Sequence, residues 1–287
     1  MRVLSFGVLT LLMVSTLMLI GLHLSVPQFG LDRISSLWVA DFASPESVKL
    51  HLAWWPRLFT TLLSGAALAV AGVLMQQVLR NPLASPSTLG VASGSSFALM
   101  LATLYAPWLL EWSYSFVALI GGVATIGLVF ALSWRRALSP TVVIVSGLVV
   151  NLYFGAVSTV LLMMNQDKLN GLMIWGAGSL VQTGWEDVQY LAPRLVIATL
   201  IAFLFVKPLS LLQLSEQGAK SLGVSLPKLR VGCLGLAVLL TAWVVSAVGV
   251  IGFVGLAAPA LARLMGVHRL VPKLLVSMVL GGLLLSL

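Results

Sequence analysis

Charge is what this chain has least of. Only 8% of its 287 residues are charged, against 60% hydrophobic, where a soluble domain carries roughly a quarter charged residues. So few charges cannot cover a surface facing water, which excludes a soluble protein and leaves an integral membrane one. Strict apolar–polar alternation in blocks of about ten residues is also missing, which argues against a β-barrel. Apolar runs of about twenty residues recur instead, the length of a bilayer-crossing helix. The single cysteine, Cys233, excludes an internal disulfide, and its apolar surroundings mark it as a small packing residue. The net charge of +8 has no basic stripe behind it. Its residues stand singly at the ends of apolar runs, a pattern of membrane topology rather than of nucleic-acid binding.

Catalytic and ion-relay chemistry is scarce as well. No carboxylate falls in the middle of an apolar run, and His23, His51 and His268 all sit near loops. A proton-driven carrier needs such groups inside the membrane, although a sodium site built from carbonyls stays open. Nor is there a phosphate-binding P-loop, since QLSEQGAKS at Gln213–Ser221 lacks the adjacent Gly-Lys. Any ATP hydrolysis must therefore happen on another chain.

What is present is a series of apolar runs at 3–22, 58–79, 87–105, 114–134, 141–164, 191–206, 231–251, a short 253–266, and 274 to the end, predicting about nine spans in an all-α polytopic membrane bundle. The first run follows Arg2 like a signal peptide. It is longer than a usual signal core and lacks a small-residue cleavage site before Val26-Pro27, so it reads as an uncleaved span. With the N-terminus inside, eleven basic residues fall inside and five outside, while seven of the eight acids fall outside. That is the sense of the positive-inside rule. Trp38, Trp54, Trp55, Trp108, Trp112, Trp175 and Trp185 gather at or near the outer boundary, as an interfacial belt does. A re-entrant 253–266 would throw Arg263, His268, Arg269 and Lys273 outside, so a short buried crossing is expected there. The apolar run still open at Leu287 predicts a piece of a longer permease.

The run 58–79 carries Gly65, Ala69 and Gly72 at small-residue spacing, which lets helix backbones approach. It ends in QQVLRNPLASPSTLG at Gln76–Gly90. Asn81-Pro82 stops a helix, and Ser85-Pro86 caps and restarts one. The stretch is thus expected to form a tight turn at the inner side. Gln76 and Gln77 are left as candidates either for lining a route or for bonding a neighbouring helix.

QQVLRNPLASPSTLGVASG resembles the N-P-L-A-x-P-x-x-L-G segment of the iron-siderophore and cobalamin permeases, the membrane subunits of ATP-binding-cassette importers. Further matches follow in order: Trp54-Trp55-Pro56-Arg57 for R-x-P-R, Leu138-Ser139-Pro140-Thr141, EQGAKSLG at Glu216–Gly223, and GFVGLAAPALAR at Gly252–Arg263. The resemblance covers nearly the whole chain. Two departures refine it. Ala260 stands where most relatives have histidine, which is most similar to the N-terminal half of double-length ferric hydroxamate permeases. Trp54 replaces the first arginine of R-x-P-R, which puts half of a charge pairing in doubt.

The resemblance implies a single permease unit over 1–287 in a bacterial inner membrane, a transport subunit rather than an enzyme, with no cofactor or metal of its own. Its implied partners are a cytoplasmic ATPase dimer, a periplasmic siderophore-binding protein and a second permease unit, fused or separate. It implies docking of the binding protein at Arg57, where an anchor beside Trp54 and Trp55 is the plainer reading. It also implies an inner gate at Ser139, Pro140 and Thr141, or merely a helix cap there. The ATPase-coupling segment would hold Glu216, Gln217, Ala219, Lys220, Leu222 and Gly223 within the loop 207–230. The outer loop 165–187 matches the region of the family's outer gate. Asn151 and Asn165 could line a polar route or bond between helices. A cobalamin, haem or catecholate-siderophore importer is the neighbouring alternative, and an ion-driven secondary carrier the one from another class.

Overall fold

A computed structural model describes residues 48–169, 184–212 and 221–286, with 172, 178, 180 and 218 besides. The run 3–22, the centre of the outer loop 165–187, and Glu216, Gln217, Ala219 and Lys220 lie outside the described residues. Among those described, every regular element is helical. A π-helical turn at Leu50–Trp54 leads into α1 (Trp55–Val78), followed by α2 (Val91–Tyr105) and the short α3 (Trp108–Trp112). Then come α4 (Tyr114–Ser133), α5 (Pro140–Met164), α6 (Trp185–Leu204), α7 (Val206–Leu211), α8 (Leu226–Val248), α9 (Val254–Leu264) and α10 (Leu270–Ser286). Five helices are long and apolar enough to cross a membrane (α1, α4, α5, α6 and α8 with their extensions), while α2, α9 and α10 are shorter.

Local chemistry explains most of the boundaries. Prolines stand in the first turn of α5 and α8, where a missing N–H costs nothing, while Pro56 follows directly on the π-helical turn before α1. Glu186 and Asp187 occupy the first turn of α6, favoured by the helix dipole, and Asp187 Oδ2 accepts from Gly184 N at 2.9 Å. This cap starts α6 ahead of its apolar run, before the expected residue 191. Lys228 and Arg230, expected in the loop 207–230, belong instead to the first turns of α8. Arg230 is buried at 6% exposure because its guanidinium bonds inward to the Ala137 carbonyl at 3.2 Å.

The bundle is built around α1, which packs against α6, α8, α9 and α10. The most apolar window of α1 is 72% buried and that of α8 67%, against 22% for α5 and 28% for α6. The two central helices therefore pack within the protein, while α5 and α6 present apolar side chains outward. Trp185 Nε1 donates to the His51 carbonyl at 2.8 Å, joining the starts of α6 and α1. Arg80, just past the end of α1, bonds the Leu212 carbonyl at the end of α7. Ser115 Oγ donates to the Ser246 carbonyl at 3.0 Å, setting the start of α4 beside the end of α8. One end of the bundle thus holds Trp55, Tyr114, Trp185 and Val248; the other holds Val78, Pro140, Leu226 and Leu264.

The small-residue stripe performs as its spacing predicts. A Cβ on Gly65 would overlap the Gly281 carbonyl, and one on Gly281 the Gly65 carbonyl, so α1 and α10 cross backbone to backbone. Gly94 of α2 and Gly121 of α4 form a second reciprocal pair.

The stretch 79–90 differs from its expected form. Helix α1 ends at Val78, ahead of Asn81-Pro82, and Arg80 takes a left-handed conformation with φ 48°. Asn81 Oδ1 accepts from Leu83 N at 2.9 Å, closing the turn. Thereafter Ala84, Ser85 and Pro86 are buried. Ser85 N donates to Thr88 Oγ1 at 3.2 Å, and that hydroxyl donates back to the Ser85 carbonyl at 2.7 Å. A 3₁₀ helix at Pro86–Leu89 and a left-handed Gly90 (φ 78°) then seat the chain against Asn151, about 16 Å along α5 from Pro140. The stretch is therefore not a turn confined to the Val78 end. It climbs into the bundle, and α2 begins halfway up.

A second irregular segment enters from the opposite end. Gly249 (φ 79°) breaks α8, and residues 249–253 descend until α9 opens with Gly255 beside Leu68 and Gly72. The passage 249–264 runs from end to end of the bundle, in keeping with the expected crossing. Phe253 at its hinge has φ 65°, a conformation costing a bulky residue about 1–3 kcal/mol. Its carbonyl, accepting from Leu256 N at 2.9 Å and Ala257 N at 2.7 Å, holds it there.

Candidate functional site

The two irregular segments meet near the middle of the bundle. Pro259 has no N–H, so the Gly255 carbonyl four residues earlier lacks its helical donor. That carbonyl is aimed at Gly72, close enough that a Cβ there would overlap it. A Cα–H of Gly72 is the group left to face it, a contact helices use at close crossings. One turn further along α1, Gln76 is 5% exposed, and its Nε2 reaches the Leu256 carbonyl at 3.5 Å. Its Oε1 is buried without a partner among the described residues. Beside this crossing lies a small cleft whose walls include Leu68, Ser85, Ser87, Thr241 and Phe253. Its hydroxyls are occupied: Ser85 and Ser87 pair at 2.9 Å, and Thr241 bonds the Ala237 carbonyl at 2.8 Å.

The residues expected to line a route are not brought to one place. Gln76 is enclosed between α1 and α9, while Gln77 is half-buried on α1. Asn151 lies against Gly90 in mid-α5. Asn165 closes the far end of α5, its Nδ2 donating to the Leu161 carbonyl at 3.1 Å and its carbonyl accepting from Lys168 N and Leu169 N, each at 3.2 Å. Local bonds of this kind stabilise by about 1 kcal/mol. Asn165→Ala is accordingly expected to lower the melting temperature slightly. An unchanged melting temperature would show that its side-chain bond to Leu161 does not help hold the end of α5.

At the Val78 end, residues 134–139 form the turn before α5. Ala137 (φ 51°) and Leu138 (φ 53°) are both left-handed, and Leu138 is buried. Ser139 N donates to the Arg136 carbonyl at 3.0 Å, and the Ser139 carbonyl accepts from Val143 N at 3.0 Å. Pro140 takes the first helical position, with Thr141 exposed after it. Arg230 ties this turn to α8. Sequence reasoning missed Arg230 as an anchor, although a lone arginine opening a long apolar run was the available sign. Of the segment expected to couple to an ATPase, Leu222 and Gly223 are described. Leu222 N donates to the Gly218 carbonyl at 3.3 Å, and Gly223 is left-handed at φ 83°, the ending expected of a short helical turn.

The Trp55 end carries an aromatic ladder. Trp54 meets Trp55 edge-on at 5.2 Å, Trp55 stacks on Phe59 at 5.8 Å, and Phe59 meets Trp185 at 5.9 Å. Arg57 stands exposed on α1, just past the π-helical turn that leads into it.

Comparison with known proteins accords with this architecture. Residues 9–287 match the model of the FecCD transport family. The iron(3+)-hydroxamate import system permease FhuB of Salmonella typhimurium is 41% identical over 87% of this chain, and that of Escherichia coli K12 is 41% identical over 86%. The chain spans only 36% and 37% of those relatives' lengths. The Fe(3+) dicitrate permease FecC of Escherichia coli K12 is 33% identical over 92% of this chain and 80% of its own length. A solved metal-chelate type ABC transporter in an inward-facing conformation superposes with a TM-score of 0.76 at 29% identity, over 88% of this chain and 83% of that one. With an all-helical bundle, its motifs in register and a family match over nearly its whole length, the chain belongs to the FecCD transport family of ABC importer permeases.

Proposed function

We propose that the chain is the N-terminal permease unit of an ATP-driven importer carrying iron(III)-hydroxamate siderophores from periplasm to cytoplasm. The supporting observation is the 41% identity to two hydroxamate permeases, over most of this chain but little more than a third of theirs. In this reading the bundle sits in a bacterial inner membrane with its N-terminus cytoplasmic. The Trp55 end faces the periplasm, where Arg57 meets an acidic residue of the siderophore-binding protein. Such a rim pair steers docking more than it adds affinity. The Val78 end carries the inner gate at Ser139, Pro140 and Thr141, held against α8 through Arg230. Glu216, Gln217, Ala219, Lys220, Leu222 and Gly223 contact the ATPase dimer, and the outward apolar faces meet lipid and a second permease unit. Iron travels inside its chelator, so the permease needs no metal ligands.

The test is radio-iron uptake by the complete transporter in proteoliposomes, with its binding protein and ATPase. Uptake of a ferric hydroxamate that stops with a hydrolysis-dead ATPase is the expected result. Uptake that ignores the ATPase and collapses with an ionophore would sink the importer reading. A second cargo, ferric dicitrate, is favoured by the FecC match, and its uptake in preference to the hydroxamate would replace the first.

A further inference from the structure

Phe253 pairs a strained backbone with an exposed side chain. Its backbone sits at φ 65°, where a side chain is disfavoured and glycine is not. Glycines stand at 252 and 255, yet the hinge position itself keeps a large ring. That ring does not stabilise this chain by packing, since Phe253 is 82% exposed. Its depth matters more. Gly255 follows at the level of Leu68 and Gly72, about 20–25 Å down α1 from Trp55. The strand of irregular chain that ends in exposed Gly252 and Phe253 therefore lies within the bilayer. Irregular backbone at such depth is tolerated where protein buries it or where it lines a water-filled cavity, and not against lipid. Of the hydroxyl residues around the cleft, Ser87 is exposed, while Ser85 and Thr241 are buried.

We propose that Phe253 projects into the aqueous route of the transporter, where its ring contacts the passing ferric chelate. This rests on the importer reading for the identity of the cargo, but not for the presence of water. The strained hinge serves to hold the ring out from the wall, with exposed Ser87 beside it on the same cleft. A ring at this place makes a weak, sliding contact, as suits a route that must release what it touches.

The experiment uses the complete transporter with Cys233→Ala, removing the one cysteine of this chain, and introduces Phe253→Cys. Leu200→Cys, on the outward face of α6, is the lipid-facing control. A charged, membrane-impermeant thiosulfonate is expected to label position 253 and not 200, and a ferric hydroxamate with its binding protein to slow that labelling. Labelling only by a lipid-soluble maleimide would place the ring in lipid and overturn the proposal. Labelling by neither reagent would bury the ring against the second unit and overturn it equally. Labelling without protection by the hydroxamate would remove the cargo contact. Phe253→Gly separates strain from function: it is expected to melt higher than the parent while importing several-fold more slowly. Unchanged uptake in Phe253→Gly would overturn the contact role. Because water access is read without transport, a transporter inactive toward hydroxamates would discredit the cargo assignment alone.

Discussion

Gly72→Ala is expected to destabilise the protein by at least about 3 kcal/mol, at the upper end of overpacking costs, and to leave little monodisperse material after detergent extraction. The added methyl would overlap the backbone carbonyl of Gly255. A flexible side chain could swing away, but this oxygen is fixed by the start of α9. Either α1 and α9 move apart, opening the crossing that also holds Gln76 against Leu256, or α9 loses its first turn. Gly127→Ala in α4 is the matched control, because nothing lies within 4 Å of its added carbon. There the ordinary helix preference for alanine over glycine applies, a gain of about 0.5–1 kcal/mol. Melting curves of both variants by size-exclusion thermostability check the pair. A Gly72→Ala protein melting with the parent would show that the helices at this crossing can part without cost.

Arg230→Ala is expected to release the turn at 134–139 from α8. Ala137 and Leu138 are left-handed in succession, and each left-handed residue other than glycine costs about 1–2 kcal/mol. The turn is therefore held from outside, and the guanidinium bond to the Ala137 carbonyl is one visible restraint. Hydrogen bonds to charged groups contribute about 1.5–3 kcal/mol, and truncating a buried arginine also empties the space its stem fills. The measurement is local: Arg135 and Arg136 are exposed in this turn, so trypsin should cut there many times faster in the variant. Arg230→Lys, which keeps the charge and loses the planar fork, should fall between the two. Equal cleavage of parent and variant would mean that the turn keeps its shape without Arg230.

The helical bundle was legible from hydropathy, and the crossing glycines from their spacing, because both follow from what lipid and close backbones demand of side chains. The depth of the breaks was not. QQVLRNPLASPSTLG is polar and rich in helix breakers, and such composition reads as a loop at the membrane edge. Its hydroxyls in fact bond one another and the backbone, which lets the segment enter the interior. Likewise Lys228 and Arg230 suggested a loop, whereas Arg230 is satisfied by a carbonyl from a turn 93 positions away, a pairing that no local pattern announces. The motifs named regions such as Ser139–Thr141, but which side chains lie near one another depended on tertiary packing.

The position of α1 bears on how the protein is made. Its buried stripe is completed by α8, α9 and α10, which leave the ribosome more than a hundred residues later. Until then the nascent stripe rests in lipid, and small apolar residues tolerate that wait. The eleven residues of α9 span only about 16 Å, too little for a membrane insertase to stop on. That segment must enter alongside α8 or α10 and find its depth by docking on a helix already in place. Assembly of this bundle is therefore ordered by synthesis, the earliest described helix serving as the template on which the latest ones settle.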